Sequence, residues 1–265
     1  MNLNTKVSGA QMVLVDITRK GKNAFPFTEN LNHRLVKYID FVGARYLPNT
    51  DKEGLTSPDD LYLTLIAENG STFLHREAPL VRFDYKQTLG SREAIGEVLS
   101  LEDCYVNCQN ASAVGKTAAF IVWYDLPEFS ARNTSDQLVT DYTTVPLTTS
   151  IRYNLFPDEE RMTGKRFRKI LLGTPSVTPD YQTGLDLSKL NNVYLTLCKG
   201  SYLVCENIPV TLLYQLQTLW KHEFANIVLD FQSCYLTIGG AGTIPNVDTD
   251  YVGKSVFFNL QYEKK

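Results

Sequence analysis

Leu61-Tyr62-Leu63-Thr64-Leu65 returns later in the chain as Val193-Tyr194-Leu195-Thr196-Leu197, at an offset of 132 residues. Around that pair the rest of the sequence runs through the same order twice. Asn23-Ala24-Phe25-Pro26 returns as Asn154-Leu155-Phe156-Pro157. Gln87-Thr88-Leu89, Glu93 and Val98-Leu99 return as Gln217-Thr218-Leu219, Glu223 and Val228-Leu229, and Cys104-Tyr105-Val106 as Cys234-Tyr235-Leu236. In chain order the offsets are 131, 132, 130 and 130. Solenoid repeats have periods of about 20–50 residues, so a repeat this long is a whole domain. Two copies of one small domain are expected, over residues 1–126 and 143–265, with residues 127–142 as a polar connection.

A length of 265 residues suits two domains, and 43% hydrophobic residues give each a core of its own. The 21% charged fraction is too low for a disordered chain. Fifteen Tyr and thirteen Phe favour strands over helices. A net charge of −3 and a pI near 5.7 lack the basic footprint of a nucleic-acid binder, so no sequence-specific nucleic-acid partner is expected. Five cysteines, an odd number, include Cys104 and Cys234 at matching places in apolar runs. They read as buried thiols of a reducing compartment. The start of the chain lacks a basic stretch followed by an apolar run, and no segment reaches the ~18 apolar residues of a membrane span. The expectation is a soluble chain made in the cytoplasm.

Short alternating or β-branched runs bounded by turn residues predict an all-β fold of two tandem sandwiches. Six strands are predicted in the first copy, over 11–18, 35–45, 61–67, 79–85, 99–109 and 117–124. Six more are predicted over 143–153, 167–172, 192–198, 202–205, 227–238 and 255–262. Asn69-Gly70 is a hairpin signal. A helical stripe of Leu212, Leu216, Leu219, Trp220 and Phe224 predicts a short helix over 212–225, late in its copy. Its counterpart over 87–97 is weakened by Gly90 and Gly96.

Residues suited to catalysis are sparse. His33, His75 and His222 are unmatched between copies, and His222 reads as a solvated helix residue. Gly115-Lys116-Thr117 and Gly253-Lys254-Ser255 each precede the last strand of a copy, which marks turn chemistry and not a phosphate loop. Glu102-Asp103, Asp59-Asp60 and Glu159-Glu160 are adjacent pairs, and adjacent strand side chains point to opposite faces. Cys104 and Cys108 read as packing, not as zinc ligands. Asn246, Asp248 and Asp250 alternate after a glycine-rich stretch and offer oxygen ligands for a structural Ca²⁺. That loop lacks the glycine and terminal glutamate of an EF-hand, so a polar turn is favoured over a cofactor site. Cations concentrate at Lys6, at Arg19, Lys20 and Lys22, and over 161–169. The first two groups are candidate contacts with neighbours or a membrane; the third reads equally as an edge that blocks strand addition.

Two tandem sandwiches in one chain of this length, each with a helix late in the copy, resemble the double jelly-roll major capsid proteins of tailless bacteriophages with an internal membrane. Corticoviruses, tectiviruses and small single-stranded-DNA phages of Flavobacterium are the examples. The resemblance implies two jelly rolls side by side, a homotrimer of pseudo-hexagonal outline and an icosahedral shell assembled in the host cytoplasm. It implies neighbouring capsomers, penton and minor capsid proteins as partners, and contact with an internal membrane through residues 1–9 and the Arg19–Lys22 turn. It implies no enzyme. Six predicted strands per copy fall short of the eight of a jelly roll. Two other readings fit the same features: an accessory virion protein (decoration, fibre or connector), and a tandem carbohydrate-binding sandwich displaying Trp123 or Trp220.

Overall fold

The run Thr117–Asp125 is buried at its first eight positions, which suits an interior strand rich in β-branched and aromatic residues. It is one of sixteen strands in a computed structural model that describes residues 8–26, 28–44, 53–85, 94–125, 138–148, 152–154, 166–172, 193–199, 202–212, 227–228, 233–238 and 255–263. The first eight strands are β1 (Ser8–Asp16), β2 (Gly21–Ala24), β3 (Leu35–Phe41), β4 (Leu61–Ile66), β5 (Phe73–Pro79), β6 (Glu97–Val98), β7 (Tyr105–Cys108) and β8 (Thr117–Asp125). The rest are β9 (Leu138–Pro146), β10 (Arg152–Asn154), β11 (Arg166–Leu172), β12 (Val193–Lys199), β13 (Tyr202–Pro209), β14 (Ile227–Val228), β15 (Tyr235–Ile238) and β16 (Ser255–Glu263). The protein is all-β. One compact unit is Gly9–Asp125; the other is built from Leu126–Lys265.

In the first unit the strands run in the orders β1-β8-β3-β6 and β2-β7-β4-β5. Leu61, Leu63 and Leu65 on one face of β4 and Val106 on β7 are core residues, as are Val36, Ile39 and Phe41 of β3 and Phe120 of β8. The Phe120 ring lies 5.2 Å from that of Phe25 and 5.8 Å from that of Phe41. Each such buried side chain contributes about 1.5–3 kcal/mol. The buried carboxylate of Asp40 accepts a 2.6 Å hydrogen bond from Trp123 Nε1.

In the second unit the orders are β9-β16-β11-β14 and β10-β15-β12-β13. β9 and β16 pair along their full lengths, from Leu138 opposite Glu263 to Pro146 opposite Ser255. β11 lies between β14 and β16: Arg166 and Phe167 stand opposite β14, and Phe167 and Lys169 opposite β16. Residues 161–165 of the basic stretch lie outside the described residues.

Small details recur between the units. The β4–β5 register shifts between Leu63 and Leu65, and the β12–β13 register between Leu195 and Leu197. Ile66 N–H donates to Cys104 Sγ at 3.4 Å and that thiol donates to the Ile66 carbonyl at 3.7 Å. Cys198 and Cys234 repeat the exchange at 3.3 and 3.6 Å. All five cysteines are buried and unbridged.

The structure corrects several sequence expectations. Among the described residues there are eight strands per unit, where six were expected. The strand predicted at 79–85 is a 3-10 turn, Leu80–Phe83, and the true strand β5 precedes it. β5 was missed because only Ala78 in it is buried, so it carries no apolar alternation. Run 99–109 contains only β7, with β6 just before it at Glu97–Val98, while 227–238 contains both β14 and β15, and 143–153 overlaps β9 and β10. The connection expected over 127–142 ends as strand, since β9 starts at Leu138. Residues 94–96 are not helical and 97–98 are strand, while 87–93 lie outside the described residues. Residues 210–212 are helical and 213–225 lie outside. No helix among the described residues is long and apolar enough to cross a membrane.

Candidate interaction surface

Between β1 and β2 the sequence Thr18-Arg19-Lys20-Gly21-Lys22-Asn23 must reverse direction, and Gly21 supplies the required positive φ of 93°. The turn is held from within. The Asn23 amide, 4% exposed, accepts from the N–H groups of Thr18 (2.9 Å) and Arg19 (3.3 Å). Its Nδ2 donates to the Arg19 and Gly21 carbonyls, both at 3.0 Å. Arg19, Lys20 and Lys22 are all exposed on this tied turn. Arg19 Nε donates to the Lys22 carbonyl at 3.2 Å, and Lys22 Nζ stands 4.4 Å from the Tyr105 ring centre. Burial pushes the Cys108 thiol up, opposed in part by its bond to Asn110 and by the charge of Lys20. Three sequence-predicted cations are thus gathered on one rigid turn, an arrangement suited to carboxylate or phosphate groups of a neighbour.

The second unit solves the same turn differently. Asn23 stands opposite Val106, and Tyr153 opposite Leu236, so the register matches Asn23 with Tyr153 and not with Asn154. The Tyr153 hydroxyl accepts from Thr148 N–H at 3.0 Å and donates to the Thr148 carbonyl at 2.7 Å. Beside it Arg152 lies 3.7 Å from the Tyr235 ring centre, as Lys22 lies over Tyr105. Cation–π stacking of this kind is worth about 0.5–1 kcal/mol at exposed sites.

The remaining candidates separate. Lys6, Asn246, Asp248, Asp250, His222, Trp220 and Glu159-Glu160 lie outside the described residues. Trp123 is a core residue bonded to Asp40 and displays nothing to a sugar. Lys116 pairs with Glu53 at 2.7 Å, and Gly115, at φ 90°, turns the chain into β8. His33 contacts Glu68, while His75 packs edge-on against Phe83 at 5.4 Å. Ser57 Oγ donates to Asp59 at 2.5 Å and Ser100 Oγ to Asp103 at 2.7 Å, which fixes both acidic pairs in local turns. Cys104 and Cys108 bond to the backbone at Ile66 and Asn110. Among the described residues no group of three or more His, Cys, Asp or Glu is placed to hold a metal ion.

Sequence reasoning missed the outward face of the sheet β2-β7-β4-β5, where Tyr62, Tyr105 and Asn107 are half-buried and Phe73 is exposed. Alternation marks which residues share a face but not whether that face stays open. No protein-family model matches this chain, and neither a curated protein nor a solved structure matches it.

Proposed function

We propose that this chain is a structural virion protein, the major capsid protein of a tailless phage, built as a double jelly roll and forming pseudo-hexagonal trimers that tile an icosahedral shell. The observation that carries it is the strand order. With strands counted from the start of each unit, both units read 1-8-3-6 and 2-7-4-5. Eight antiparallel strands in two facing sheets joined by Greek-key crossings are the jelly-roll arrangement of viral shells. The shared bulge, the shared cysteine–backbone exchange and the shared cation–tyrosine stack support a duplicated domain.

Two similar blocks per chain give a trimer six, enough for hexagonal tiling by one gene product. In such a shell Arg19, Lys20 and Lys22 face a neighbour or an anionic membrane, where each cation near the surface contributes about 1 kcal/mol. A shell protein of this kind calls for no active site and no cofactor. The test is the mass of the purified protein by light scattering, with negative-stain images of the same fractions. A trimer of hexagonal outline is expected; a monomer, or an elongated fibre, overturns the reading.

A further inference from the structure

The β4–β5 hairpin turns through Glu68-Asn69-Gly70-Ser71-Thr72, all exposed, and Asn69-Gly70 is the only Asn-Gly pair in the sequence. Gly70 meets the turn's need for a positive φ, here 69°. In the second unit the chain between β12 and β13 is Gly200-Ser201, without an asparagine.

An asparagine followed by glycine is open to a reaction that needs no enzyme. The Gly70 nitrogen, its proton taken by hydroxide, attacks Asn69 Cγ and closes a five-membered imide. The Cγ–Nδ2 bond breaks, and Nδ2 takes a proton from water and leaves as ammonia. Water then adds to one imide carbonyl and its bond to nitrogen breaks. The product is aspartate or, with the main chain rerouted through Cγ, isoaspartate. Glycine permits the attack because no Cβ stands beside the nitrogen. The step also requires nitrogen and Cγ to be brought into reacting geometry.

The folded turn holds each of the reacting groups in another bond. Gly70 N–H donates to the Ala67 carbonyl at 2.8 Å, so the proton that must leave is engaged. Asn69 Oδ1 accepts from the N–H groups of Ser71 and Thr72, both at 3.0 Å. Asn69 Nδ2 donates to Thr72 Oγ1 at 2.9 Å. Attack has to release the Gly70 proton and turn the amide out of its three bonds.

We propose that Asn69 is a deamidation site closed by the folded hairpin: it converts when the β4–β5 turn opens and stays intact while the turn is formed. The product does not fit the turn as asparagine does. A carboxylate at position 69 has no N–H to give Thr72. It also adds negative charge next to Glu68 and close to Asp103, whose Oδ2 lies 3.6 Å from the place of a Cβ on Gly70. Isoaspartate further lengthens the main chain inside the turn. Each opening is thus recorded as a chemical change that makes the next opening easier. The inference is independent of the capsid reading.

The test incubates the full-length protein at mildly alkaline pH, folded in buffer and unfolded in guanidinium chloride. Conversion at position 69 is followed by mass spectrometry of the peptide that spans it, with an isoaspartate assay. The folded chain is expected to convert about tenfold or more slowly than the unfolded chain, since local opening must come first. Equal rates, or faster conversion in the folded chain, overturn the proposal; so does an unfolded chain that does not convert. Thr72→Ala removes the side-chain acceptor at an exposed position and is expected to speed conversion of the folded chain severalfold, with an unchanged circular dichroism spectrum. A folded Thr72→Ala chain as slow as the parent overturns the clamp. If that variant does not fold, the parent in denaturant below its unfolding transition decides. A rate that rises with denaturant supports opening as the controlling step, and a flat rate overturns it.

Discussion

Glu77 and Asn207 share one uncommon backbone state: φ is 50° at the first and 51° at the second, and each N–H reaches a threonine hydroxyl on the adjacent strand. The partners are Thr64 at 3.1 Å and Thr196 at 3.3 Å, both 0% exposed. Left-handed conformation costs a non-glycine residue about 1–2 kcal/mol, so each bulge persists because its surroundings hold it. Asparagine tolerates this region better than glutamate does. The second unit therefore bears less strain at the bulge than the first.

Replacing either threonine by valine keeps the shape and removes the acceptor. We expect Thr64→Val and Thr196→Val each to cost about 1–3 kcal/mol by leaving a backbone N–H without its partner. Urea unfolding of the two variants measures this. A change below a few tenths of a kcal/mol in both would remove the threonines from the account of the bulge.

Asn23→Ala should loosen the basic turn. Two backbone N–H groups lose their acceptor and a buried amide leaves a gap, so the expected loss is about 2–3 kcal/mol. Tyr153→Phe removes one hydroxyl with two bonds to a single residue, and about 1 kcal/mol is expected. Thermal or urea denaturation ranks the pair; the reverse order would contradict the structure.

Gly9 is required by a neighbour and not by its own backbone. A Cβ there would lie 2.4 Å from Cε2 of Tyr124, a ring that is 1% exposed. Gly9→Ala is expected to destabilise by about 1–3 kcal/mol through overpacking. In a Tyr124→Leu background the penalty should shrink, and a double-mutant cycle shows whether it does.

Burial raises the Cys104 thiol from its ordinary 9.0 to about 11, and pushes Cys205 well above the same value. A thiol raised in the folded state stabilises fully below the unfolded value. Between about 9 and 11 the unfolded chain gives up protons that the folded chain keeps, so stability falls as pH rises through that window. Unfolding free energy measured from pH 8 to 11 should decline, and a Cys104→Ala variant should decline less. In the native protein at pH 8 a thiol reagent is expected to label Cys104 only after denaturant is added.

The all-β class was legible because it rests on long apolar strands: Leu61-Tyr62-Leu63-Thr64-Leu65 and Val193-Tyr194-Leu195-Thr196-Leu197 pair in matching registers in the structure. Strands with little buried surface were not legible. β5 exposes Phe73, Arg76, Glu77 and Pro79, and β6 is two residues long, so neither leaves a periodic trace. The one-residue slip at Asn23 has a similar origin. Asn154 matches it in letters, but the place of Asn23 is taken by Tyr153, since an amide and a phenol can both satisfy the turn. Of the site, Arg19, Lys20 and Lys22 could be read directly as a cationic run. The tyrosine face could not, because its openness depends on what packs above it.

β8 sits between β1 and β3, and β16 between β9 and β11. In each unit the strand made last by the ribosome therefore occupies an interior place in its sheet. Until it emerges, the strands on either side of it have nothing between them, and their hydrogen-bonding edges stay bare. Folding during synthesis must wait for that final segment, a long-range closure of the kind that slows β proteins and leaves them vulnerable to aggregation while nascent. A chain stalled before Thr117 or before Ser255 would hold a sheet parted down its middle.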